Sequence, residues 1–471
     1  MYDAVVVGSG PNGLAAAVEL ARNGHSVIVL EAEDTIGGGT RSAELTLPGY
    51  VHDVCSAIHP FGYASPFFSA LPLEEHGLEW VHPPAPLAHP FDDGSAAVLK
   101  RSVEETGDTL APDNKAYRKL MKPIVRDFDR ILRSLLGPLR LPRHPFSLAR
   151  FGLRAIRSAR GLAENLFEGE KARGLFAGNA AHSALPMERV PSGAFGLVFA
   201  TLGHAVGWPF PKGGSQKLAD ALASYLLSLG GEIYSGVRIG SVEEVPRTRT
   251  VLFDLTPRQL LGIAGEHFPG RYRRALERYR YGPGVFKVDF ALHGPIPWRA
   301  EVCKRAGTVH LGGTLEEISA GEAAVSRGEH PERPFVLLAQ QSLFDGTRAP
   351  EGKHTVWAYC HVPNGATFDM TERIEAQIER FAPGFKDRIL ARSIMNTADM
   401  EHSNANYIGG DIYGGLQDFR QLFTRPVLQP NPYSTPARGL YICSSSAPPG
   451  GGVHGMCGYF AARAALANTL R

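Results

Sequence analysis

The chain has 471 residues, 44% hydrophobic and 20% charged, and its 49 Lys and Arg nearly balance 47 Asp and Glu, leaving a net charge of +2. This is the composition of a folded globular protein with room for two or three domains. The balanced charge gives no reason to expect nucleic acid as a partner, no stretch reaches the roughly 18 to 20 apolar residues of a membrane span, and five scattered cysteines without a CxxC argue for a reducing compartment and against a redox disulfide or a zinc site.

The first apolar run, Val5-Val6-Val7, is of the kind buried in a parallel sheet. It ends in Gly8-Ser9-Gly10-Pro11-Asn12-Gly13. Helix formers follow from Leu14 to Arg22, and Asn23-Gly24 stops them. A second β run, Ser26 to Leu30, delivers Glu31 at its tip. Strand, glycine turn, helix, strand and acid together predict a dinucleotide site. Gly8 allows the tight turn, Gly10 the approach of a pyrophosphate, and Gly13 close packing of helix on strand. The helix N-terminus offers free N–H groups and partial positive charge to phosphates. Glu31 is suited to the ribose hydroxyls and disfavours a 2′-phosphate. Because the first strand starts at Tyr2, no signal or transit peptide is expected, which predicts a cytoplasmic protein.

Gly37-Gly38-x-x-Arg41-Ser42 comes next. It resembles the GGxxR-S/T extension of the large FAD-dependent family that includes amine oxidases and phytoene desaturases. The resemblance implies that the stretch from Ala32 through Gly37, Gly38, Thr40 and Arg41 runs along the cofactor, with Arg41 near the phosphates. It favours FAD over NAD.

Residues 43 to 95 read as loops and short strands, with a hairpin turn at Phe91 to Ser95. The histidines here, His52, His59, His76, His82 and His89, match no metal spacing, and no metal is expected. His59 follows the GGxxR extension where related chains pass the flavin ring, so it is the candidate catalytic residue, able to exchange a proton near neutral pH. Residues 105 to 200 are helical by pattern. Within them, residues 130 to 163 carry Arg130, Arg133, Arg140, Arg143, Arg150, Arg154, Arg157 and Arg160 and no acid. Arg150, Arg154 and Arg157 are expected on one helix face, with Leu148, Phe151, Ala155 and Leu162 on another. Such a surface is a candidate peripheral membrane contact, against the plainer reading of a solvated cap.

Trp208 and Lys212 are candidate substrate contacts. Lys212-Gly213-Gly214 precedes a periodic helix, Leu218 to Leu229, which Gly230-Gly231 ends before the strand Glu232-Ile233-Tyr234. This segment resembles the P-x-GG-helix-GGEI return of phytoene desaturase-like flavoproteins, which implies that Val237 lies by the adenine. Relatives usually insert a β-hairpin before the strand that here reads VLFDLTP. This chain has only Glu243-Glu244-Val245-Pro246.

From 270 to 400, alternating strands suggest an antiparallel sheet, with Phe286, Val288, Phe290 and Leu292 on one apolar face. That face is expected to form one wall of the substrate pocket. At the C-terminus a buried strand, Gly439 to Cys443, leads through Ser444 and a glycine-rich turn, Gly451-Gly452-Val453-His454-Gly455-Met456, into a last helix. This resembles the final PGxGVxG turn of the phytoene desaturase group, which implies contact with the ribityl chain and the flavin edge. Ser444 stands near where relatives often carry an acid.

The whole chain is thus similar to the phytoene desaturase-like FAD-dependent oxidoreductases, and within them to the branch of pyridine nucleotide-disulfide oxidoreductase domain-containing protein 2. The resemblance implies an α/β FAD-binding Rossmann-like domain (1–80, 205–270, 405–471) interleaved with a substrate domain of antiparallel sheet plus helical cap (81–204, 271–404). It further implies hydride transfer to or from an apolar, polyene or lipid-like substrate, with oxygen or a quinone as acceptor. Two alternatives remain: an amine oxidase-like enzyme, with Trp208 and Tyr459 as aromatic cage, and a flavoprotein with mainly an assembly role.

Overall fold

The computed structural model describes residues 1–471. Two sheets organise the chain. Their strands are β1 (Tyr2–Val7), β2 (Val27–Leu30), β3 (Ala85–Pro90), β4 (Ala96–Leu99), β5 (Glu232–Tyr234), β6 (Thr248–Phe253), β7 (Gly284–Leu292), β8 (Ala306–Leu311), β9 (Val336–Ala339), β10 (His354–Val362), β11 (Ile389–Met395) and β12 (Leu440–Ile442).

The first sheet has five strands in the order β12-β6-β1-β2-β5, all parallel. β2 and β12 are fully buried apolar runs, and β1 and β6 are buried in their later residues, as a sheet covered on both faces requires, while the edge strand β5 is partly exposed. The helices α1 (Pro11–Arg22), α2 (Gln216–Ser228) and α3 (Met456–Asn468) pack around it. All five strands fall within 1–80, 205–270 and 405–471. No strand lies between β5 and β6, where the longer hairpin of relatives is missing.

The second sheet has seven strands, in the order β11-β7-β10-β9-β8-β3-β4. It is mixed rather than antiparallel, because β3 joins β8 in parallel. The β3–β4 hairpin comes from a distant part of the chain, so no tight turn constrains its direction.

The expected wall of the pocket is also corrected. Phe286, Val288, Phe290 and Leu292 do not face a cavity. They pack with Val356, Ala358 and Cys360 beneath Ile374, Ile378 and Phe381 of the helix Thr371–Phe381. The opposite face, with Trp357 and Tyr359, faces the cavity. Strand β10 puts Val356, Ala358, Cys360 and Val362 on one side and Thr355, Trp357, Tyr359 and His361 on the other, so alternation separates two faces but does not say which one a helix covers. The uniformly apolar face went under an amphipathic helix, and the face carrying Lys287, Asp289 and the polar aromatic tips was left inward.

The arginine-rich stretch is not one helix. Phe128–Leu135, Pro145–Ala155 and Ala159–Leu166 are separate helices. Ser158 accepts a hydrogen bond from the Gly161 N–H at 3.2 Å and starts a new helix there. Arg157 and Leu162 therefore do not share the helix of Arg150 and Arg154.

Helices α1 and α3 cross backbone to backbone. A Cβ added to Gly458 would lie 1.8 Å from the Asn12 carbonyl oxygen. We predict that Gly458→Ala lowers unfolding free energy by about 3 kcal/mol or more, read by urea unfolding, because backbone must shift. Gly152→Ala, where a Cβ meets nothing within 4 Å, is the control and should raise stability by up to ~1 kcal/mol.

Candidate active site

The carboxyl ends of β1, β2 and β6, with the segment after β12, open on one cleft of about 2000 Å³, open water at its mouth included. This is where open parallel sheets place their ligands. Of the candidate residues, Gly8, Gly10, Pro11, Asn12, Glu31, Ala32, Gly38, Arg41, His59, Trp208, Val237, Ser444, Gly452 and Val453 line it.

At one end, Glu31 is held rigidly. Its carboxylate accepts from the Ser9 N–H at 2.8 Å, the Ser9 hydroxyl at 2.5 Å and the Glu33 N–H at 3.0 Å. The Val237 N–H donates to the Glu31 carbonyl at 2.7 Å, which places Val237 beside the acid. Gly13 must lack a side chain, since a Cβ there would lie 2.0 Å from the Gly8 carbonyl oxygen. Arg41 donates to the Gly38 carbonyl at 3.0 Å and to the Ser403 carbonyl, which fixes its head along the cleft. Ser444 turns its hydroxyl to the Leu255 carbonyl at 2.8 Å.

Several candidates stand behind the lining. Ser9 and Thr40 are fully buried, and the Thr40 hydroxyl donates to the Gly37 carbonyl at 2.8 Å. Gly37 donates its N–H to Ser9. Gly451 packs on the Tyr413 backbone, Gly455 takes a positive φ of 67° at the start of α3, and Met456 is buried in its first turn. His454 accepts from the Met456 N–H at 3.1 Å and meets Phe61 edge-on. Two expectations fail. Lys212 pairs with Glu79 at 3.0 Å on the surface, away from the cleft. Tyr459 packs on Phe67 and Phe460 rather than joining Trp208 in a cage.

His59 lines the cleft, and its Nε2 meets the Ser215 hydroxyl at 2.8 Å. Its Nδ1 is buried with no protein partner. Burial, opposed by nearby Asp53, lowers its pKa to about 4. It is therefore a neutral imidazole at pH 7 rather than a group titrating there. Ser215 is tied to Asp53, and Asp53 to Arg348 at 3.2 Å, all buried.

The other end of the cleft is aromatic: Phe61, Phe199, Trp208, Trp357, Tyr359 and Tyr413, with His182 stacked on Phe199 at 4.2 Å. Burial lowers the His182 pKa to about 3, so it too is neutral. A buried chain leads to Tyr413. The Glu322 carboxylate meets His361 Nδ1 at 2.9 Å, and His361 Nε2 meets the Tyr413 hydroxyl at 2.9 Å. These residues went unrecognised in the sequence because Glu322, His361 and Tyr413 come from three distant elements. Asp254 was also missed, though its place at the end of β6 in the parallel sheet was a usable signal.

The chain matches the family described as flavin containing amine oxidoreductase over residues 12–318. It is similar to pyridine nucleotide-disulfide oxidoreductase domain-containing protein 2 of Rattus norvegicus, 27% identical over 556 residues, spanning 98% of this chain and 92% of that protein. It is 24% identical to a phytoene desaturase (neurosporene-forming) of Rhodobacter capsulatus over 518 residues, spanning 97% and 92%. Its fold resembles an oxidoreductase from Methanosarcina mazei (TM-score 0.66, 16% identity, 99% and 100% covered). It also resembles putrescine oxidase bound to putrescine (TM-score 0.63, 19% identity, 99% of each chain covered). All five cysteines here are unpaired.

FAD is the cofactor, and the residues present fit it. The glycine turn leaves a cradle that side chains would fill, and Glu31 would hold the ribose hydroxyls. Asp254 adds a constraint. Its carboxylate accepts from the Gly13 N–H at 2.9 Å, on the helix terminus that receives the phosphates. Burial, reinforced by nearby Glu31, raises its pKa to about 7. A diphosphate beside it favours the protonated acid further. Because the folded value lies above the ordinary 3.8, the unfolded chain releases this proton first, and stability falls as pH rises between the two values. We predict that Asp254→Asn gains on the parent protein by on the order of 4 kcal/mol between about pH 4 and pH 8, read by urea unfolding across that range. A constant difference at all pH values would refute this.

Proposed function

The chain belongs to the flavin-containing amine oxidoreductase family, and on that premise we propose that it is an FAD-dependent oxidoreductase acting on a neutral, apolar, polyene- or lipid-like substrate. The observation that carries the reading is the asymmetry of the cleft. The carboxylates lining it are Glu31, Glu33 and Asp254, all at the dinucleotide turn, while the far chamber is aromatic and has none.

Bound FAD supplies a hydride acceptor or donor. The chain positions the substrate against it with flat aromatic walls and excludes water, which is most of what such transfer needs. The Tyr413 hydroxyl, backed by His361 and Glu322, is the protic group placed to take or give the accompanying proton. Burial holds the Tyr413 pKa well above 10, so the phenol is neutral: it takes a proton only as it passes its own to His361, and gives one only as His361 returns another. Desaturation, saturation and isomerisation are all compatible with these parts, with oxygen or a quinone as acceptor where electrons leave.

The test is anaerobic bleaching of the flavin absorbance with candidate polyenes, quinols and amines. Neutral apolar compounds should bleach it and cationic amines should not. With the best of them, Tyr413→Phe should slow bleaching by roughly 10²-fold without changing flavin content. Fast bleaching by amines alone would favour the amine oxidase reading.

A further inference from the structure

The helical cap carries a surface that its own fold leaves uncovered. Leu141 is 93% exposed, Phe146 88%, Leu153 72%, Leu139 70% and Ile156 54%. These five sit within eighteen consecutive residues, although the protein exposes large apolar side chains only sparsely elsewhere. The helix Pro145–Ala155 accounts for part of this. Its inner stripe, Ser147, Phe151 and Ala155, is buried, while Phe146 and Leu153 stand on the outer one.

The charges on this face are also unspent. Asp127 takes up Arg130 at 3.7 Å and Arg150 at 3.6 Å, and Arg160 pairs with Glu164 and Glu188. Arg133, Arg140, Arg143, Arg154 and Arg157 have no carboxylate within 4.0 Å. The remaining acid on this side is Asp129, which is exposed. A protein of net charge +2 thus concentrates uncompensated cations where it exposes its apolar tips.

We propose that this face docks on an anionic lipid bilayer, with the apolar tips in the acyl boundary and the free arginines at the headgroups. Charge complementarity sets the sign of the partner. The pattern sets its kind. In Leu139-Arg140-Leu141-Pro142-Arg143 apolar and cationic residues alternate, so they form no contiguous groove for a folded protein. A fluid interface accommodates such scattered insertions, attracting each basic residue to its anionic headgroups, with apolar groups buried roughly 5–10 Å deep. The inner stripe of the same helix packs on the helix Ser192–Ala205, whose Phe199 lines the cleft. The docking face therefore lies one helix layer from the aromatic chamber.

The experiment is flotation of the full-length flavoprotein with vesicles of phosphatidylcholine alone and of phosphatidylcholine with one third phosphatidylglycerol. Binding to the second and not the first is expected, weakened by high salt. Leu141→Asp with Phe146→Asp, and separately Arg143→Gln with Arg154→Gln and Arg157→Gln, should each reduce partition at least tenfold while flavin content stays unchanged. Absence of binding to anionic vesicles, or binding that ignores both variants, overturns the proposal. So does a wild-type dimer that the Leu141→Asp, Phe146→Asp variant abolishes, since the face would then join two copies. The salt arm uses only the parent protein and survives a variant that fails to fold. None of these readouts involves a substrate, so the proposed reaction stands or falls separately.

Discussion

The structure depends on one close approach. Helix α1, from the first twenty-two residues, and helix α3, from the last sixteen, touch through their backbones at Asn12 and Gly458. The contact fixes both helix N-termini at the same cleft. Asn12 reinforces it by donating to the Ser445 hydroxyl at 3.3 Å across 433 residues of sequence. Each N-terminus carries partial positive charge. The α1 terminus lies on the cleft lining, while α3 stands behind it and holds the glycine turn, through Gly452 and Val453, against the same cleft.

The second sheet is fastened to this seat by buried charge rather than by apolar packing alone. Arg348 is 1% exposed and reaches Asp53 at 3.2 Å and Asp345 at 3.1 Å. Asp53 also accepts from Ser42 at 2.7 Å, from the Ser215 N–H at 2.7 Å and from Gln341 at 3.1 Å. Four residues, Ser42, Ser215, Gln341 and Arg348, meet on one carboxylate. Such a cluster adds little net stability against an apolar substitute, yet breaking it leaves an unpaired buried charge at a cost of about 3–5 kcal/mol. Its effect is to fix register between segments. It holds the Ser215 hydroxyl under His59, and so holds that ring at the cleft.

Legibility followed locality. The turn from Gly8 to Gly13 and the acid at Glu31 are spaced by backbone geometry within one βαβ unit, so residue types alone gave their placement. The final glycine turn was read from its resemblance to the PGxGVxG turn of related flavoproteins, and Gly452 and Val453 of it line the cleft. The inner face of the second sheet was not. Alternation separates the two sides of strand β10, and only the neighbouring helix decides which side is covered. Lys212 misled because a lysine near a glycine turn reads the same whether it meets a ligand or Glu79. The Glu322–His361–Tyr413 chain left no local trace at all, since the residues are 39 and 52 positions apart. His59 was placed at the cleft, but its protonation was not legible, because burial outweighs the pull of Asp53 only in three dimensions.

The substrate reading follows from where negative charge is missing. A cationic amine entering the far chamber would lose its hydration, at a cost of several kcal/mol. Aromatic faces return about 0.5–2 kcal/mol through cation–π contact, which does not offset that loss alone. A carboxylate at the chamber would close the gap. Here buried Glu322 is already paired with His361 and is absent from the lining. A neutral apolar molecule loses no such hydration and gains from every aromatic surface it covers. On the proposed reading, the same wall that disfavours charge suits flat, uncharged compounds, and the neighbouring hydroxyls of Tyr359 and Tyr413, 3.5 Å apart, are the polar points against which they would be oriented.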